Sequence, residues 1–187
     1  MASIIKANQL QDFGGNSIIT SDGAGSVTVN AQGLQNTPAF HVTKLADQSS
    51  LSDNVFTTIA FDDVIIDTNN AYNTSTYRFT CPSGHSGTYF VGGMTLGIAG
   101  AVTQNSYSDI YIYKNDSIFY YQMSDMRNNH TYQIVNTFGI PIPLVAGDYV
   151  YLQVRFNVTT GTATLRANGH ATQAIETNFY GYKLIGL

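Results

Sequence analysis

Four histidines, one cysteine and twelve acidic residues are the side chains of this chain that could ligate a metal, attack carbon or shuttle protons. His41, His85, His130 and His170 are scattered, with none of the short spacings that bring zinc ligands together, and each reads as a surface or hydrogen-bonded residue. Cys81 has no second cysteine to pair with, and a reactive thiolate needs an electropositive neighbour that the local sequence does not supply. Glycoside hydrolysis needs two carboxyl groups facing each other across a substrate. Asp62 and Asp63 are adjacent on an extended segment, so their side chains diverge, Asp148 belongs to a Gly-Asp turn, and Glu176 is the only glutamate. Calcium prefers clustered oxygen ligands, and Asp62, Asp63 and Asp67 with Asn69 and Asn70 are the one oxygen-rich group, but their spacing matches no calcium loop. The expectation is no catalytic residue, no metal, no cofactor and no enzyme activity.

The elements that carry these residues follow from composition. The chain of 187 residues holds 13 Tyr and 10 Phe but no Trp, and only 11% of its residues are charged, against roughly 25% in an ordinary domain. Helices draw on Glu, Lys, Leu and Ala for their solvent faces. That stock is missing, while aromatic, β-branched and turn-forming residues abound, as strands and turns require. The fold class is therefore all-β. The net charge of −4 comes without a basic run, which excludes the usual nucleic-acid footprint. No apolar stretch of about 18 residues is present, so no membrane insertion is expected. The first six residues lack the apolar core and cleavage site of a secretory leader. Without one, the sequons at Asn73, Asn115, Asn129 and Asn157 read as chance.

Residues 1–38 differ from the rest. They are rich in Gly, Ser, Asn and Gln, and two short strands, Ser17–Thr20 and Ser26–Val29, flank the turn signal Ser21-Asp22-Gly23-Ala24-Gly25. An isolated hairpin is marginal in water, so this arm needs a partner. Its apolar residues Ile4, Ile5, Leu10, Ile18, Ile19, Val27 and Val29 are the candidate docking contacts. From Ala39 onward strand patterns recur at short spacing: 39–42, 56–66, 76–80, 88–98, 109–113, 133–138, 149–156, 163–166 and 179–187. Pro141 and Pro143 read as punctuation. In Tyr149–Phe156 the residues Val150, Leu152, Val154 and Phe156 alternate with Tyr149, Tyr151, Gln153 and Arg155, which gives one core face and one polar-aromatic face. This many short strands imply a sandwich or barrel.

Four segments carry a resemblance. Tyr77-Arg78-Phe79-Thr80-Cys81-Pro82 precedes Gly87-Thr88-Tyr89-Phe90-Val91. Ile110-Tyr111-Ile112-Tyr113 closes on Lys114-Asn115-Asp116. Leu144-Val145-Ala146-Gly147-Asp148-Tyr149-Val150-Tyr151-Leu152 follows, and Phe179-Tyr180-Gly181-Tyr182 ends the chain. In order and spacing they resemble the complement C1q / tumour necrosis factor jelly-roll family over residues 39–187, with a slightly long link between Pro82 and Gly87. Gly87 and Gly181 suit close backbone approach. The resemblance implies a jelly-roll β-sandwich that forms homotrimers around an aromatic-lined axis, with Phe40, Tyr89, Tyr149, Tyr151, Phe179 and Tyr182 as candidate interface residues. No collagen stem accompanies the domain, so complement function is not implied.

Met1-Ala-Ser-Ile-Ile-Lys6 through the Ser-Asp-Gly-Ala-Gly-Ser hairpin resembles the leader of virion proteins from tailed bacteriophages. Together these resemblances imply a virion structural protein made in the bacterial host cytoplasm. Its trimeric surface module would be docked by the arm onto other virion proteins, above all the major capsid protein, as a cement or decoration. One alternative is a receptor-binding module of a tail fibre or tail tip that holds host surface glycans. A second is a secreted ligand of the C1q/tumour necrosis factor type.

Overall fold

The computed structural model describes residues 7–30, 35–99, 105–128, 130–167 and 175–185. No helix occurs among them, and the strands form three antiparallel sheets. Strands β1 (Gln9–Gln11), β2 (Ser17–Ser21) and β3 (Val27–Val29) make a small sheet in the arm, with β2 in the middle. The hairpin β2–β3 is the expected one, and β1 is an addition that sequence pattern did not show. Asp22 closes the turn by accepting from Ala24 N at 2.7 Å and Ser26 N at 3.0 Å.

From Ala39 onward two sheets stack as a β-sandwich. The seven-stranded sheet runs β5 (Gln48–Leu51), β15 (Ala163–Leu165), β10 (Gly87–Ala99), β16 (Asn178–Lys183), β4 (Ala39–Thr43) and β7 (Asp63–Asp67). Its seventh strand, β13 (Gln133–Leu144), lies along the other flank of β10. The six-stranded sheet runs β12 (Ser117–Asp125), β11 (Asn105–Lys114), β14 (Tyr149–Val158), β9 (Arg78–Thr80) and β8 (Tyr72–Asn73), with β6 (Thr57–Thr58) also on β14. The core between the sheets is aromatic. Phe40 from one sheet stacks on Phe79 from the other with ring centroids 4.4 Å apart, and Phe179 meets Phe40 edge-on at 4.8 Å. Val150, Leu152, Val154 and Phe156 are all buried, so the alternation read in β14 points its apolar side inward as expected.

Three differences from the sequence reading have physical causes. The apolar run at 56–66 is not one strand: β6 pairs with β14 and β7 with β4, and Ile59 and Phe61, both without exposed surface, cross between the sheets. Pro141 and Pro143 do not end β13, which pairs with β10 without interruption from Gln133 to Leu144. A strand paired on one flank only has N–H positions to spare on the other, where proline costs no ladder bond. Strand β12 escapes pattern reading because apolar side chains stand on both of its faces, so no period of two marks it.

The Gly147-Asp148 turn sets the start of β14. Gly147 has φ +90°, and Asp148 accepts from Val145 N at 2.9 Å and from the Asn115 amide at 2.6 Å. The Val145 N–H and then the Asn115 amide hold the Asp148 carboxyl down at about 2. Because this pKa is depressed on folding, its contribution is present above the ordinary carboxylate value and is lost as pH falls toward 2. Asp148→Asn is expected to lower the melting temperature at pH 7 and to flatten its decline between pH 4 and 2, measured by thermal denaturation. Phe79→Ala, at a side chain with no exposed surface, is expected to cost about 3–5 kcal/mol in denaturant unfolding.

Candidate association surfaces

Period-two alternation leaves each core sheet an outward face. On the seven-stranded sheet β10 sends Tyr89 and Val91 inward and Phe90, Met94 and Leu96 outward, half-buried. Cross-strand pairing puts Tyr182 beside Phe90, with centroids 5.8 Å apart, and Tyr180 beside Gly92. These rings lie directly on glycine backbone. A Cβ on Gly92 would sit 2.5 Å from the Tyr180 hydroxyl, and one on Gly139 would sit 2.7 Å from the Phe90 ring. His41 continues the face with its ring edge-on to Tyr180 at 6.2 Å, and Val135 on β13 is 53% exposed. Burial lowers the His41 pKa, and the Asp63 carboxylate opposes that shift.

The second surface is an edge. Among the described residues strand β12 pairs only with β11, and its Ile118, Phe119, Tyr120, Tyr121 and Met123 are all 38–56% exposed. The register shifts where Ile112 faces Tyr120 but Tyr113 faces Ile118, leaving Phe119 as the extra residue. Tyr121 stacks on Tyr111 at 5.6 Å. Exposed apolar edges invite pairing with another chain, and large contiguous apolar patches mark association sites.

The outward face of the six-stranded sheet is polar-aromatic and carries two ion-paired arginines. The Arg78 guanidinium lies 4.2 Å from the Tyr149 ring centroid and 4.9 Å from that of Tyr151. Asp116 accepts from Arg78 at 2.9 Å, Tyr149 at 2.6 Å and Tyr151 at 3.0 Å. Burial, and then the bond to Asp116, pushes the Tyr151 hydroxyl up to about 12. A second cluster places Arg155 against Phe56, Tyr107 and Tyr111, with its Nε donating to the buried Asp109 at 2.8 Å. Breaking such a buried pair from one side leaves an uncompensated charge, so these clusters read as structural.

The expected interface residues therefore do not form one surface. Phe40, Tyr89 and Phe179 are 2%, 0% and 0% exposed inside the sandwich, and a side chain without accessible surface cannot meet a second subunit. Tyr149 and Tyr151 lie on the outward face of the six-stranded sheet, and Tyr182 on that of the other. In the arm, Leu10 and Val27 are 55% and 60% exposed, Ile18, Ile19 and Val29 are half-buried, and Ile4 and Ile5 lie outside the described residues. Pattern reading missed β12 and the fully exposed Phe13, and also Phe90 and Tyr180. The last two could have been found by extending the alternation of Tyr89–Val91 and Phe179–Tyr182.

The chemistry-bearing residues are dispersed or engaged. Asp62 accepts from Leu45 N at 2.9 Å, Asp63 from the Thr43 hydroxyl at 2.7 Å, and Asp67 from Ala71 N and Tyr72 N, each at 2.9 Å. The three carboxylates thus serve separate turns and strands instead of one calcium cage. No group of three or more His, Cys, Asp or Glu placed to hold a metal ion occurs among the described residues. Cys81 is buried with its Sγ 3.6 Å from the Tyr89 hydroxyl, and burial pushes its pKa up, away from thiolate reactivity. His170 lies outside the described residues.

Comparison with known proteins agrees with this geometry. The model of the C1q domain family matches residues 39–182. The globular domain of zebrafish complement 1qA protein superposes with a TM-score of 0.52 at 16% identity, covering 79% of this chain and 98% of that one. Murine APRIL, in a crystal structure at pH 5.0, superposes with a TM-score of 0.51 at 13% identity, covering 78% and 98%. A search of curated proteins returned no match. At such identities the superpositions speak for the fold alone, whereas the family match spans well over half of the residues: the chain belongs to the C1q domain family.

Proposed function

We propose that this protein is a non-enzymatic, homotrimeric attachment module. The observation that carries this reading is the coexistence of two different unpartnered apolar surfaces, the β12 edge and the Phe90–Tyr180–Tyr182 face of the other sheet. An edge that fits a face makes a heterologous contact, and such a contact, repeated, gives a ring where the rotation closes and an open filament where it does not. C1q and tumour necrosis factor-like domains commonly form homotrimers, which favours a ring of three. No group of three or more His, Cys, Asp or Glu placed to hold a metal ion competes with this reading among the described residues.

The arm, divided from the module at Pro38, supplies the docking function. Its sheet exposes Leu10, Phe13 and Val27, and a small sheet without its own core needs a surface to cover it. Virion attachment, as a capsid cement or decoration, is the placement that the resemblance of the arm supports, and attachment at a tail tip uses the same parts. Likeness of the module to a complement 1qA globular domain favours a second reading, a free extracellular ligand. Three copies joined on one axis multiply weak contacts into durable attachment in either setting.

Light scattering on the purified chain is expected to give three times the 20.3 kDa chain mass, and a monomer at micromolar concentration would overturn the trimer. Tyr121→Lys and Val135→Lys, each on an exposed side chain, are expected to weaken assembly by roughly 30-fold or more without unfolding the monomer. The lowered His41 pKa means that protonation opposes the buried state, so its contribution is present above about pH 6.5 and fades below that. The melting temperature is therefore expected to fall between pH 6.5 and 5, and His41→Gln to reduce that fall, measured by thermal denaturation. For placement, deletion of residues 1–36 is expected to leave the trimer intact and abolish co-purification with virus particles. Recovery of the chain free and glycosylated outside a eukaryotic cell would instead establish the second reading.

A further inference from the structure

A cleft of about 510 Å³ opens at the far end of the six-stranded sheet, lined by Asn69, Asn70, Tyr72, Asn73, Thr74 and Thr80 with Ala71 and Pro82. Its volume falls in the range of small-ligand sites. We infer that it is a binding site for a neutral saccharide, a role independent of how the chain assembles.

Three observations carry this. First, the cleft is lined by amides and hydroxyls and by no charged side chain. Asp67, the nearest carboxylate in sequence, is consumed by Ala71 N and Tyr72 N at 2.9 Å each. A phosphate, sulfate or carboxylate ligand would find no counter-charge, whereas vicinal hydroxyl groups match side-chain amides as both donors and acceptors. Second, the loops are held while their outward groups stay unengaged. Asn73 Oδ1 accepts from Ser75 N at 2.8 Å and Thr76 N at 3.1 Å, and Asn69 Oδ1 accepts from the Thr68 hydroxyl at 2.9 Å. The amide nitrogens of both residues, the whole Asn70 amide and the hydroxyls of Thr74 and Thr80 have no hydrogen-bond partner among the described residues. Asn70 is also held at φ +55°, a conformation uncommon for a non-glycine residue. Third, Tyr72 lines the cleft but is only 8% exposed. Its ring stacks on Phe40 at 6.0 Å, so the cleft is built on the rigid core rather than on a free loop. Rigid placement lowers the entropy cost of binding.

The location suits this role. In the six-stranded sheet β8 is the strand farthest from the β12 edge, so the cleft lies away from that edge, and a trimer would carry three copies of it.

The test is an array of neutral and anionic oligosaccharides, followed by titration of the best neutral binder into the full-length chain. Asn70→Gly keeps the backbone conformation and removes the amide. Asn73→Asp keeps both turn bonds and replaces the amide nitrogen with a charged oxygen. Retention of a neutral saccharide by the wild type is expected, with at least tenfold weaker binding in both variants at unchanged melting temperature. Absence of any neutral binder, preference for anionic glycans, or undiminished binding by both variants would overturn the assignment. Light scattering on the same samples reads the assembly state separately, so failure of the trimer and failure of the cleft are distinguishable.

Discussion

The stacking of Phe40 on Phe79, one ring from each sheet at 4.4 Å, is the contact on which the other features depend. It joins the two sheets at the level where Phe179, Tyr89 and Tyr72 also meet. Aromatic pairs add specific geometry to their large buried area, so this cluster fixes the spacing of the sandwich and the side of each strand that faces inward. With Tyr89 and Phe179 drawn in, Phe90, Tyr180 and Tyr182 must point out, because successive side chains on a strand alternate. The same cluster anchors Tyr72 and so shapes the floor of the polar cleft.

The two outward faces then diverge in character. On the six-stranded sheet, Arg78 and Arg155 neutralise Asp116 and Asp109 and lie over tyrosine rings. Their hydrogen bonds and cation–π contacts are made within one chain, and Asp109 Oδ1 is left buried without a partner among the described residues. On the seven-stranded sheet, aromatic rings lie on glycine backbone with no charged group completing them. The cost of leaving such a face wet grows with its apolar area, at about 25 cal/mol per Å². The β12 edge adds both apolar surface and unpaired backbone groups. The proposed association of copies would remove both costs at once.

The polar groups inside the fold follow the same logic. Lys44 is 2% exposed, and its ammonium donates to Ala60 O at 2.7 Å, while burial lowers its pKa against the pull of Asp62 and Asp47. Asp62 in turn holds Leu45 N. The acidic residues that looked like a cation site are thus the devices that fasten the chain where it crosses from one sheet to the other.

Composition alone determined that the chain is all-β, because the residues that helices place against water are missing. The period of two in Tyr149–Phe156 determined the inward face of the most clearly alternating strand, and the four quoted segments carried the jelly-roll assignment. The burial of Cys81 was also legible, from its place at a strand end. Tertiary structure decided what no local pattern encodes. It divided residues 56–66 between two sheets, ran β13 through two prolines because one flank is unpaired, and made β12 an edge with both faces apolar. It buried Phe40, Tyr89 and Phe179 and turned Phe90 and Tyr180 outward. An aromatic residue is equally suited to a core and to an interface, and only the packing of the second sheet chooses between them.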